Sequence, residues 1–109
     1  MKDKIESLFI ASEKMKGSTM SLLRCLILTM LHYYKDGLQF RELQTVCHIT
    51  DGKLIYNLKQ LIEFKYIEKS KIIFDNKTLS IYCLTEDGKK EVEKMGDWME
   101  TVIEIIKTK

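Results

Sequence analysis

The chain has 109 residues, of which 45% are apolar, 31% charged and ten aromatic. That is the size and balance of one globular domain, and it excludes both a two-domain enzyme and a wholly disordered chain. Net charge is only +2, but residues 1–80 hold 13 Lys/Arg against 9 Asp/Glu while residues 81–109 hold 5 against 7, a distribution compatible with a polyanion partner without requiring one.

With no proline and only five glycines, element boundaries must be read from hydrophobic periodicity. Ile5, Leu8, Phe9, Ser12 and Met15 share one face of a short amphipathic helix that ends at Gly17. Ser18 or Thr19 can cap a second helix, with Leu23, Leu26, Ile27, Met30, Leu31 and Tyr34 spaced by threes and fours until Gly37. Beyond the short segment Leu38-Gln39, a third helix barely two turns long places Phe40, Leu43, Val46 and Cys47 on one side. His48-Ile49-Thr50 breaks that pattern. Thr50 or Asp51 then caps a fourth helix, which buries Leu54, Leu58, Leu61 and Ile62.

From Tyr66 the chain turns β-branched and aromatic (Ile67, Ile72, Ile73, Phe74), and a matching run follows at Leu79, Ile81, Tyr82 and Leu84. Asp75-Asn76-Lys77 between them signals a hairpin, with Asn76 the residue most tolerant of a positive φ. Leu79, Ile81 and Cys83 alternate with Ser80, Tyr82 and Leu84, so neither face of this strand is expected to be fully solvated. Thr85-Glu86-Asp87-Gly88 opens a last helix, the threonine as cap and the acids at the positive end of the dipole.

The predicted fold is therefore mainly α with a small β-hairpin wing: a winged helix-turn-helix flanked by N- and C-terminal helices. In that plan the second helix of the turn motif enters the major groove, and the hairpin reaches a neighbouring groove or the backbone. The segments SLLRCLILTML, LQFRELQTVCHITDGKLIYNLKQLIEFKYIEK and LSIYCLTEDGKK resemble the small winged-helix transcriptional regulators of the ArsR and MarR broad group, over roughly residues 19–95. The resemblance is most specific at TDGKLIYNLKQLIEFKYIE and YCLTEDGKK. It implies a recognition helix at about 51–64, a wing at about 66–84, and double-stranded DNA as partner. The organisation follows as 1–18 an N-terminal helix, 19–88 the DNA-binding unit and 89–109 a dimerisation helix.

With the leucines inward, the opposite face of the recognition helix is expected to carry Gly52, Lys53, Tyr56, Asn57 and Gln60. Lys53 suits a guanine edge or a phosphate, Asn57 and Gln60 present paired donors and acceptors to adenine, and Tyr56 suits a phosphate or a thymine methyl. Gly52 permits close backbone approach near the helix N-terminus, and Thr50 either caps or contacts phosphate. The alternative is a merely solvated face. In the wing the contact groups are Lys69, Lys71, Asn76 and Lys77, opposed by Asp75. Wings of this group are often richer in arginine, and a glycine is expected where Lys65 ends the recognition helix, so the wing contacts and that turn both depart from the pattern.

Val92, Met95, Met99, Val102 and Ile106 form a heptad-like seam, widened by Trp98, Ile103 and Ile105. Together with Ile5, Leu8 and Phe9 they are expected to build a homodimer interface, suited to a two-fold symmetric operator. The alternative is that both terminal helices fold back on their own domain.

The most apolar stretch, Leu22 to Leu31, is broken by Arg24 and Thr29 and falls far short of the roughly 20 residues of a membrane span. Met1 to Lys4 mixes charges as signal peptides do not, so a cytoplasmic protein with no membrane partner is expected. Cys25, Cys47 and Cys83 fit a reduced compartment and read as core or near-core residues. A redox-gated regulator acting through Cys47 and His48, or a ligand-gated one with Tyr33, Tyr34 and Trp98 around a pocket, is an alternative; a protein-interaction module without specific DNA binding is another. No metal-ligand spacing, glycine-rich phosphate loop or catalytic set is present, so neither a cofactor nor an enzyme is expected. The residues name no operator, no effector and no choice between activation and repression.

Overall fold

The computed structural model describes residues 2–15 and 21–108. In chain order the elements are α1 (Lys2–Met15), α2 (Leu22–Tyr33), β1 (Leu38–Gln39), α3 (Phe40–Cys47), α4 (Asp51–Glu63), β2 (Ile67–Phe74), β3 (Lys77–Leu84) and α5 (Glu86–Lys107). The three strands form one antiparallel sheet in the order β1-β3-β2. The expected winged helix-turn-helix is what forms.

One core holds it. Ile27, Leu28 and Leu31 of α2, Leu43 of α3, Leu54, Leu58 and Leu61 of α4, and Ile67, Leu38 and Tyr82 of the sheet pack together, with Val92 of α5 against them. Complete burial of each leucine contributes on the order of 2 kcal/mol. The phase of α2 differs from the periodicity reading. Cys25 and Leu28 are buried, whereas Leu26 and Tyr34 stand in solvent. α2 is apolar almost all round, so threes-and-fours spacing fits more than one face. Val46 and Ile62, assigned to buried faces, are likewise exposed. Ser21 caps α2 by accepting the Arg24 N–H, while Gly17 and the cap candidates Ser18 and Thr19 lie outside the described residues.

Local chemistry sets the two tight connections. Between α3 and α4, His48 takes a left-handed backbone (φ 52°), its N–H donating to the Gln44 carbonyl at 3.2 Å. The Gln44 side chain spans the turn, donating through Nε2 to the Ile49 carbonyl. At the end of α4, Lys65 is left-handed too (φ 65°); its N–H donates to the Ile62 carbonyl at 2.9 Å and the Tyr66 N–H to the Leu61 carbonyl at 3.0 Å. This is the paired bonding of a Schellman cap, with a lysine where glycine is usual.

The segment Thr85 to Gly88 docks α5 onto that cap. Thr85 Oγ1 donates to the Lys65 carbonyl at 2.6 Å and accepts the Gly88 N–H at 3.0 Å, while the Thr85 N–H donates to the Tyr66 carbonyl at 3.0 Å. A Cβ on Gly88 would lie 2.0 Å from the Tyr66 carbonyl oxygen, so only glycine admits the approach. The threonine and glycine of YCLTEDGKK, with Leu84 packed against the glycine, are thus a clasp between the wing and the last helix.

α1 packs on α5 of its own chain. The Trp98 indole N–H donates to the Leu8 carbonyl at 2.9 Å, and Lys4 Nζ lies 3.2 Å from Glu104 Oε2. Met95 is buried and Val92 faces the core. Of the residues expected at a dimer interface, Leu8, Val92, Met95 and Trp98 are therefore engaged within the chain. Ile5, Phe9, Met99 and Ile106 remain exposed, and Val102 is half-buried.

Candidate nucleic-acid interface

The fold anchors α4 by Leu54, Leu58 and Leu61, each at most 1% exposed, and turns the rest of the helix outward. Thr50 caps it: Oγ1 accepts the Lys53 N–H at 3.2 Å, and the Thr50 backbone is extended. The exposed face then carries Asp51, Gly52, Lys53, Ile55, Tyr56, Lys59 and, in the last turn, the acid Glu63, with Gln60 half-buried at its margin. A Cβ on Gly52 would meet nothing within 4 Å, so the chain's own packing does not require a glycine there.

Asn57 does not belong to this face. It is 7% exposed; its Oδ1 accepts the Arg24 Nε–H at 2.9 Å, and its Nδ2–H donates to the Lys53 carbonyl at 2.8 Å. The expectation that Asn57 reads adenine is corrected: its amide ties α4 to α2 and orients the half-buried Arg24 beside the recognition helix. Arg24 and Lys59 were missed by the sequence reading. Arg24 signalled itself as the one charge inside an apolar helix, and Lys59 lies farther round from the leucine stripe than Asn57 does.

The wing closes one side of the site. β2 and β3 pair from Ile67↔Leu84 to Phe74↔Lys77. Asp75 and Asn76, with φ 52° and 61°, make the two-residue turn that matches strand twist. Directly opposed residues share a face, so Lys69 with Tyr82 and Lys71 with Ser80 lie on one side of the ribbon. Lys69, Ser80 and Tyr82 on that side line a shallow groove with Phe40, Ile55, Leu58, Lys59 and Ile62. Lys69 Nζ sits 5.8 Å from the Tyr82 ring centroid, a cation–π placement. Lys71, Asn76 and Lys77 are exposed, with Lys77 on the opposite side of the ribbon. Lys59 and Lys69 thus border one groove, with Lys71 farther out on the same ribbon face and Lys53 on the exposed face of α4, where Asp51 and Glu63 are the acids at the two ends of the helix.

The thiols lie apart from this surface. Cys25, Cys47 and Cys83 are free, and burial pushes each thiol above its ordinary value, with the charge of Glu91 adding at Cys25 and those of Glu68 and Asp36 at Cys83. Neutral thiols are poor nucleophiles and poor metal ligands. Among the described residues no three His, Cys, Asp or Glu side chains converge on a common point. Trp98 lines a cleft of about 710 Å³ between α1 and α5, which Tyr33 and Tyr34 do not reach; those two rings contact each other edge-to-face at 4.9 Å.

Comparison with known proteins agrees with this architecture. Residues 23–103 match the family model of a winged helix DNA-binding domain. No curated protein matches the chain. Among solved structures, a transcriptional regulator homologue from Pyrococcus horikoshii superposes with a TM-score of 0.75 at 19% identity, covering 97% of this chain and 99% of that one. A mutant of S. aureus MepR bound to an oligodeoxyribonucleotide gives 0.68 at 20% identity, over 98% of this chain and 77% of that one. The adhesin competence repressor AdcR of Streptococcus pyogenes gives 0.65 at 14%, over 96% and 74%.

Proposed function

The chain belongs to the winged helix DNA-binding domain family, and on that premise we propose that it is a sequence-specific, double-stranded DNA-binding transcriptional regulator. It acts by occupying a promoter and not by catalysis. The observation that carries the reading is the outward face of α4: a capped helix, locked from beneath by three leucines, presents Lys53, Tyr56 and Lys59 beside a glycine that nothing in the fold requires. A structural relative solved bound to an oligodeoxyribonucleotide supports the same use of the same fold.

Lys53 and Gln60 reach base edges, Tyr56 a phosphate or a thymine methyl, and Gly52 lets the backbone at the helix N-terminus close on a phosphate. Lys59 and Lys69 neutralise the backbone from the groove between α4 and the wing, Lys71 does so from the same ribbon face farther out, and Asn76 and Lys77 from the turn and the opposite face. Thr50 serves as the cap. The protein acts as a homodimer: Phe9, Ile10, Leu22, Leu26, Ile103 and Ile106 leave an apolar surface uncovered on α1, α2 and α5. Two recognition helices so joined would address half-sites about 34 Å apart. Within the 1–18, 19–88 and 89–109 division, the first turns of the last segment serve the core through Val92, and its later turns serve the partner. No helix among the described residues is long and apolar enough to cross a membrane, and we place the protein in the cytoplasm.

Anisotropy titration of a labelled duplex against salt tests this reading. Affinity should fall by at least about a thousandfold between 50 and 200 mM salt if six or more phosphates are contacted, and Lys59→Ala should lower the salt slope by about one. Affinity that is absent at low salt, or indifferent to salt, would refute it.

A further inference from the structure

The tip of the wing is not explained by the contacts proposed for α4. Ile73 is 82% exposed and Phe74 67%, two large apolar side chains side by side at the end of a hairpin. Such a tip ordinarily carries charge, because exposed apolar strand ends invite association. This one is rigid. The ladder pairs without a break out to Phe74↔Lys77, and the Asp75-Asn76 turn closes it at once.

Two features identify what the tip suits. First, successive strand residues point to opposite faces, so Ile73 and Phe74 make a two-sided apolar blade. A flat protein surface covers one side of a blade, whereas a gap between two stacked bases covers both. Second, cations flank it: Lys71 shares the face of Ile73, and Lys77 is paired with Phe74 on the other. Cations on both faces of a blade suit phosphates on the two sides of a narrow groove. Asp75 is the one acid at the tip, in a turn position where aspartate tolerates a left-handed backbone. The face of Ile73 and Lys71 is also the face of Lys69, which borders α4.

We propose that Ile73 and Phe74 form an apolar wedge that enters the minor groove beside the α4 site and partly unstacks one base step, with Lys71 and Lys77 on the flanking phosphates. The inference rests on the reading of α4 as the recognition helix. Wedges of this kind kink a duplex towards the major groove, so the wing reads how easily a step opens and not the edges of its bases.

The test uses the full chain and a duplex enriched from a random pool. Single adenines flanking the half-site are replaced by 2-aminopurine, and the duplex ends carry a donor and acceptor dye. The wild type should brighten 2-aminopurine at one flanking step and shorten the end-to-end distance. Ile73→Ser/Phe74→Ser, a surface change whose folding is checked by its melting curve, should lose both signals while affinity falls about tenfold, the scale of one lost stacking contact. Lys53→Ala should instead weaken binding with the wedge signals retained in whatever complex forms at saturation.

Normal affinity with dark 2-aminopurine at every flanking position would overturn the wedge and leave the α4 reading standing. So would a double variant that keeps the bend. Loss of self-association in that variant with unchanged DNA signals would assign the tip to a protein contact. No duplex binding by the wild type at low salt would overturn both readings.

Discussion

Replacing Asn57 by alanine separates a structural role from a base-reading one. Asn57 is 7% exposed and accepts the Arg24 Nε–H at 2.9 Å. A hydrogen bond to a charged partner contributes about 1.5–3 kcal/mol, and the lower end applies because the half-buried guanidinium regains part of its bonding from water. Alanine returns up to about 0.7 kcal/mol of helix propensity. The expected net loss is about 1–1.5 kcal/mol, equivalent to a Tm lowered by about 4–10 °C in a domain of this size. Circular dichroism melts at a fixed protein concentration measure this, with duplex selection run in parallel. Affinity should decline evenly across all duplexes, because α4 loosens as a unit, and base preference at every position should persist. An unchanged Tm combined with lost preference at a single base pair would refute the reasoning and return Asn57 to the groove.

Three further outcomes follow from single residues. Gly52→Ala meets open space in the fold and should leave stability unchanged or raise it by up to about 1 kcal/mol; duplex affinity, measured by anisotropy, should nevertheless fall, because the added methyl stands between backbone and phosphate. Lys65→Gly relieves a left-handed residue (φ 65°) and should stabilise the chain by about 0.5–1 kcal/mol in urea unfolding, the entropy gained by the unfolded glycine offsetting part of the relief; a destabilised variant would contradict the Schellman cap. Burial raises all three thiols above their ordinary values. At pH 7–8 they are therefore less ionised than a free cysteine, so alkylation of the folded protein should run slower than that of free cysteine and should go on rising with pH after the free thiol has levelled off. Rapid labelling of Cys47 at neutral pH would revive the redox-gated alternative.

What could be read from the sequence followed local chemistry. Thr50 and Thr85 cap their helices because a hydroxyl followed by helix-forming residues has few other uses, and Asp75-Asn76 closes the hairpin because those residues tolerate positive φ. Position around an apolar helix was less legible. α2 offers apolar residues on nearly every side, so only its neighbours decide that Leu28 goes in and Leu26 stays out. Asn57 was misplaced for another reason: at 100° per residue it lies roughly 70° from the centre of the leucine stripe, against roughly 130° for Lys59, so the polar residue was on the flank and the better groove candidate was two positions on. Polarity alone concealed that, since Arg24 makes burial of the amide tolerable. The terminal helices showed excess apolar surface without showing what meets it. Part is spent within the chain, through Trp98 on Leu8, and part remains at Phe9 and Ile106.

Selection of bound duplexes from a random pool tests the central claim most directly, with the wild type and Lys53→Ala/Tyr56→Ala side by side. Dimeric reading by α4 predicts that the wild type enriches an inverted repeat, with half-site centres about one helical turn apart or a multiple of it, and that the double variant loses base preference within each half-site. No enrichment by the wild type at low salt, or the same motif recovered by the double variant, would contradict it.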